Sequence, residues 1–211
     1  MKNEMTKMAI SFFILLAVFS GLNAENFPID TSLNIPDEEE IVATREFVMV
    51  ERRISEAIPP FKGCPDGNEF IAPVNEQIEK EVLRLVNIER QKRKLVALKW
   101  SEELARSARY HASDMAAENY FSHDSQDNEG QKYKSVCSTF KRIGAFSRHG
   151  HAENIAAGYS EAEKVMRQWM NSPGHKANIL RENSRVLGVG YYSDPESRFR
   201  HYWVQNFGRG E

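Results

Sequence analysis

The chain has 211 residues, 41% apolar and 27% charged, a balance that excludes a disordered or fibrous polypeptide and provides for one domain with a buried core. Its 28 Lys and Arg are interspersed with 30 Asp and Glu for a net charge of -2. That excludes the polycationic surface of a nucleic-acid binder and the polybasic patch of a peripheral membrane protein.

Lys2 and Lys7 precede an uncharged run from Met8 to Ser20, and Leu22-Asn23-Ala24 closes on a small residue before Glu25. Basic start, apolar middle and small-residue exit mark residues 1–24 as a secretory signal peptide. The run is shorter than the ~20 apolar residues of a bilayer span, so no stable membrane anchor is expected after cleavage. The expected location is the medium or the periplasm.

Residues 25–76 read as an N-terminal extension or linker. Glu25 to Glu40 is acidic and carries Pro28 and Pro36; Ile41 to Ala57 has the pattern of a short helix or strand. Pro59-Pro60, Gly63, Pro65 and Gly67 then break regular structure. Cys64 and Cys137 are the two cysteines. In an exported chain they can form one disulfide or remain two thiols, and spacing alone does not choose.

The domain proper is expected over residues 77–208. From Gln77 to Arg93 the spacing of Ile78, Val82, Leu85 and Val86 predicts an amphipathic helix. A second helix is predicted from about Ser101, its N-cap, to Asn119, with an inward stripe of Leu104, Ala108, His111 and Met115. His111 on that stripe reads as a buried, hydrogen-bonded histidine. A third helix is predicted from Ser160, with Glu163 as capping-box partner, to Asn171, ended by Pro173-Gly174. A helical turn over His175 to Leu180 follows. Val186 to Tyr192 and Phe199 to Phe207 predict an antiparallel hairpin turning at Asp194-Pro195. His149 and His151 are placed in a solvated loop, His201 on a surface strand, and Trp100, Trp169 and Trp203 chiefly in the core. Helices first and a hairpin last indicate an α+β domain.

Several ordered segments carry a resemblance. They are Leu83-Arg84-Leu85-Val86-Asn87-Ile88-Glu89-Arg90, Trp100-Ser101-Glu102-Glu103-Leu104-Ala105, Tyr110-His111-Ala112-Ser113-Asp114-Met115 and Tyr120-Phe121-Ser122-His123. Ala152-Glu153-Asn154-Ile155-Ala156-Ala157-Gly158, Trp169 to Leu180, Gly188-Val189-Gly190 and Tyr202 to Gly208 complete the set. In order and spacing they resemble the bacterial form of the CAP (SCP-like) family of cysteine-rich secretory, antigen 5 and pathogenesis-related proteins. The resemblance implies a three-layer α-β-α sandwich with a central antiparallel sheet. It also implies a cleft holding two His and two acidic residues. By motif these are His123, Glu153 and His175; the second acidic position falls near Ser172, so that carboxylate is absent.

His123, Glu153 and His175 would suit Zn²⁺ or another divalent cation, with one coordination position left for water. The simpler alternative is a hydrogen-bonded cluster that ties three loops. If the protein were an enzyme, the same three residues would be catalytic, but no Gly-x-Ser-x-Gly elbow accompanies Ser122 or Ser172. Ser122, Asn154, Ser172 and Gln205 are expected along the cleft, the two amides first as hydrogen bonders that fix loops. The preferred function is a secreted, non-catalytic binding module for an extracellular lipid, sterol, glycan or protein. A metal-assisted or Ser/His hydrolase and a structural envelope or spore-coat component are the alternatives.

Overall fold

The computed structural model describes residues 61–130 and 132–210; the signal peptide expected over 1–24 and most of the extension lie outside the described residues. Its elements in chain order are α1 (Glu76–Gln91), β1 (Lys99–Trp100), α2 (Glu102–Ala117), β2 (Ser125–Asn128), β3 (Tyr133–Cys137), α3 (Thr139–Phe146), β4 (Gly150–Ala157), α4 (Ala162–Asn171), α5 (Pro173–Ile179), β5 (Val186–Ser193) and β6 (His201–Gly208).

Four strands form one sheet in the order β1-β5-β6-β4, and β2 and β3 form a separate antiparallel hairpin. The three long strands pair antiparallel, whereas the two-residue β1 joins β5 in parallel. Alternation along the strands divides the core in two. Leu187, Val189, Trp203, Phe207, Ala152 and Ala156 pack with Val82 and Val86 of α1 and Val165, Met166 and Trp169 of α4. Ile155, Tyr202 and Val204 on the opposite face pack with Ala108, Ala112 and Met115 of α2. The result is the three-layer α-β-α sandwich.

Glycines decide how close α2 can come. A Cβ on Gly188 would lie 2.1 Å from the Ala105 backbone nitrogen, and one on Gly190 would lie 2.3 Å from the Ala108 backbone carbon. Only bare backbone lets the helix seat there. Ser101 caps α2 as predicted, accepting from the Leu104 amide at 3.3 Å. The stripe Leu104, Ala108, His111 and Met115 is fully buried. The outer side of α2 is buried as well, because residues 61–72 cross it. Phe61 packs edge-on against Tyr110 at 5.1 Å, and Arg106 donates to the carbonyls of Gly67 and Glu69. Cys64 and Cys137 are joined as a disulfide across 73 residues, tying this strap to the end of β3.

Both sheet edges are closed by side chains. Where β1 stops, the Tyr191 amide of β5 donates to buried Glu79 of α1, which pairs with Arg109 of α2 at 2.7 Å. At the other edge, Asn178 and Trp169 donate to the β4 carbonyls of Glu153 and Ile155. An unpaired strand amide at one edge and two strand carbonyls at the other are thereby satisfied without another strand.

Three local expectations are corrected. The third predicted helix begins at Ala162 with Glu161 at the N-cap position and no side-chain cap, so Ser160 does not cap it. The positive φ of 86° at Gly158 turns the chain out of β4, which leaves Ser160 exposed and short of the helix. Pro173 does not merely end α4; it opens α5 from its first turn, where a missing N–H costs nothing. His151 lies not in a solvated loop but on β4, half-buried, with its Nε2 3.0 Å from the Ser184 hydroxyl.

Candidate functional site

The site forms where the α2 side and the α5 side of the sandwich meet at the β4 edge. Period-2 alternation sends the Glu153 and Ile155 side chains toward α2 and the Asn154 side chain toward α5. His123 follows α2 on a short loop. Buried His111 fixes that loop, with its Nε2 2.9 Å from the Ser122 carbonyl oxygen. Burial holds His111 down to about 3, so its ring stays neutral and its Nε2–H donates to that carbonyl. Nearby, the Tyr120 hydroxyl donates to Asp114 at 2.6 Å. Burial pushes the Asp114 carboxyl up to about 6.

His123 and Glu153 are in contact, with Nδ1 2.9 Å from Oε1. The other oxygen of Glu153 accepts from Arg142 of α3 at 2.7 Å, and Arg142 also donates to Ser125 at 3.1 Å. Glu153 and Arg142 are both buried, while the His123 ring is half-exposed. Burial pushes the Glu153 carboxyl up, but the guanidinium of Arg142 and the hydrogen bonds of its two partners outweigh it and hold the carboxyl below its usual range. A carboxylate that accepts from Nδ1 leaves Nε2 of His123 facing outward.

Two open hollows flank that ring. One, of about 430 Å³, is lined by Phe121, Ser122, His123, Asp124, Ile155 and His175. The other, of about 270 Å³, is lined by His123 with Thr139, Phe140, His151, Glu153 and Arg181 among its walls. His175 thus shares the first hollow with His123. Burial, then the neighbouring His123, keeps the His175 ring below its usual value. Phe121 and Phe140 are exposed at 44% and 60%, an apolar rim beside imidazoles.

The remaining expected residues fall in different places. Ser122 lines the first hollow, though its hydroxyl is engaged with the Asp124 amide at 3.2 Å. Asn154 and Gln205 are fully buried behind it. Asn154 donates to Gln205 and to the His175 carbonyl and accepts from Asn178, so the amides tie α5 to the sheet instead of facing the cleft. Ser172 is the hinge residue between α4 and α5.

His123, the Glu153 carboxylate and Arg142 are tied into a hydrogen-bonded cluster. Both Glu153 oxygens are occupied, and among the described residues no group of three or more His, Cys, Asp or Glu side chains converges to hold a metal ion. Arg142 escaped the sequence analysis because an Arg beside Lys141 reads as solvated. Its signal was the helical spacing to Phe146, four residues on, which places it on the buried face of α3.

Residues 83–207 match the CAP family, the cysteine-rich secretory protein family. The Bacillus subtilis (strain 168) protein YkwD is 40% identical over 129 residues, 61% of this chain and 46% of its own length. The membrane protein YlbC of the same strain is 32% identical over 177 residues, 84% of this chain and 46% of its own. The chain therefore spans less than half the length of either relative. An extracellular SCP-domain protein from Bacillus anthracis str. Ames superposes with a TM-score of 0.55 at 31% identity, covering 65% of this chain and 42% of that one. An outer surface protein of Borrelia burgdorferi superposes with a TM-score of 0.55 over 64% of this chain and 95% of its own, and at 19% identity the likeness is one of fold.

Proposed function

This chain belongs to the CAP family of cysteine-rich secretory proteins, and on that premise we propose that it is an exported, non-catalytic binding module whose ligand contacts His123 and the two hollows beside it. The observation that carries this is the state of Glu153. Its two oxygens are held by His123 and Arg142, and the carboxyl is kept ionised and buried. A general acid or base needs a titratable oxygen within reach of substrate, and this carboxylate offers none. What it does provide is a fixed imidazole between two concave surfaces with aromatic rims, the kind of preformed site that recognises a ligand. Export is read from the leader over 1–24 and agrees with the extracellular description of the Bacillus anthracis relative. No described helix is long and apolar enough to cross a membrane.

One feature favours the hydrolytic alternative: a carboxylate-oriented histidine is half of a Ser/His/Asp arrangement. Ser122 is the neighbouring hydroxyl, already engaged with the Asp124 amide. The test uses purified protein and its His123→Ala variant. Both are assayed on chromogenic esters and peptides, and by thermal shift against fatty acids, sterols, glycan fragments and peptides. The expected result is no His123-dependent turnover and a stabilising ligand class whose effect is lost in the variant. Turnover that disappears with His123 would overturn the proposal.

A further inference from the structure

We infer that the hollow on the α3 side of His123 receives an anionic group, a carboxylate or phosphate, and that Phe140 carries the ring or apolar part attached to it. The inference rests on the binding function proposed above and names the chemistry of its ligand.

The walls supply one cation, Arg181, set apart from the Asp124 carboxylate, which lies behind Thr139 and is spent on the Thr139 amide and hydroxyl. Glu153 is the carboxylate in the wall, and it is neutralised by Arg142 at 2.7 Å. Arg181 also lines the hollow, and among the described residues no carboxylate lies within ion-pair distance of it. Its charge and that of Arg209 both reach His151, where they add to burial in disfavouring the protonated ring. A cavity whose cations outnumber its free carboxylates concentrates anions.

A second, independent observation is an unmet donor. His151 Nδ1 is buried without a hydrogen-bond partner, while its Nε2 lies 3.0 Å from the Ser184 hydroxyl. When Ser184 donates to Nε2, the proton sits on Nδ1, and that N–H has no acceptor among the described residues. Buried donors are seldom left so, and the N–H adds a positive partial charge to the wall that His151 contributes. Phe140 sets the other half of the recognition. It is 60% exposed at the mouth, beside the Thr139 hydroxyl, which is itself fixed on Asp124 at 2.8 Å. At about 270 Å³ the hollow falls just short of the usual range for a drug-sized ligand, so it holds a head group and leaves the rest outside.

The experiment is an NMR titration of the isotope-labelled protein, reading the His151 ring and the Arg181 side chain. Inorganic phosphate, acetate, phenyl phosphate, benzoate and benzylamine are added separately. Phenyl phosphate and benzoate should give saturable shifts at both residues and bind more tightly than phosphate and acetate; benzylamine should not. Arg181→Glu should weaken the anions about tenfold or more, as expected for loss of a charge-assisted bond, with the unfolding temperature unchanged. Phe140→Ala should remove the advantage of the ring-bearing probes alone. The ratio of phenyl phosphate to benzoate tells which anion the hollow prefers. Binding of benzylamine equal to benzoate, absence of saturable shifts, or indifference to Arg181→Glu would each overturn the inference. If a thermal-shift ligand still depends on His123 in that event, the binding function stands and only the anion assignment falls.

Discussion

Replacing Arg142 with Met removes one partner of a buried ion pair and leaves the other in place. Arg142 and Glu153 are 0% and 1% exposed at their side chains and 2.7 Å apart. Stranding a buried charge in this way costs about 3–5 kcal/mol, which for a domain of this size lowers the unfolding temperature by about 10 °C. The sign of the pH dependence follows. In the native protein the Glu153 carboxyl is held below its usual value of 4.5, so its contribution is present above that value and is lost as pH falls through the folded one. Without Arg142, burial dominates and the carboxyl is pushed up. The variant then suffers most at neutral pH and recovers ground as acid protonates the stranded group. Adding Glu153→Gln should restore part of the loss at pH 7, since a neutral amide still accepts from His123. Urea denaturation of the three proteins between pH 4 and 8 measures this. A loss in Arg142→Met below about 1 kcal/mol, far under the range for a broken buried pair, or a double variant no more stable than the single one, would refute the reasoning.

Other substitutions test the frame around the site. Gly190→Ala forces a Cβ to within 2.3 Å of α2 backbone and should cost about 3 kcal/mol or more, read from the urea midpoint. Cys64→Ser with Cys137→Ser opens a loop of 73 residues and should cost about 4 kcal/mol by chain entropy, a loss that reducing agent on the native protein should reproduce. Asp114→Asn probes a carboxyl raised from 3.8 to about 6. The native protein takes up that proton more readily than the unfolded chain, so this contribution fades as pH rises from about 4 to 6. The variant lacks the fade, and its unfolding temperature relative to the native protein should climb over the same interval.

Long periodic elements were legible in the sequence. The predicted helix from Gln77 to Arg93 lies within two residues of α1 at each end, and the Ser101 cap and the buried stripe of α2 are as expected. The strand β4 was not, because Glu153 and Asn154 interrupt its apolar run, and alternation cannot show that both are buried with partners on opposite faces of the sheet. The two-residue β1 and the polar β2–β3 hairpin carry too little pattern to be found. A one-sided stripe also underdescribed α2, whose outer face is covered by a strap rich in Pro and Gly. At the site, resemblance brought His123, Glu153 and His175 together where spacing could not. It could not show that Arg142 stands behind Glu153, since a neutralising partner from another helix leaves no local trace.

The bare backbone at Gly188 and Gly190 works as a gauge. Sliding β5 by one residue would turn Val189 toward α2, and sliding it by two would bring Val186 or Tyr192 under the helix, so no shifted register can seat it. The loop that carries His123 departs from the far end of that same helix. Its placement is therefore inherited from two missing methyl groups in a strand more than sixty positions later in the chain.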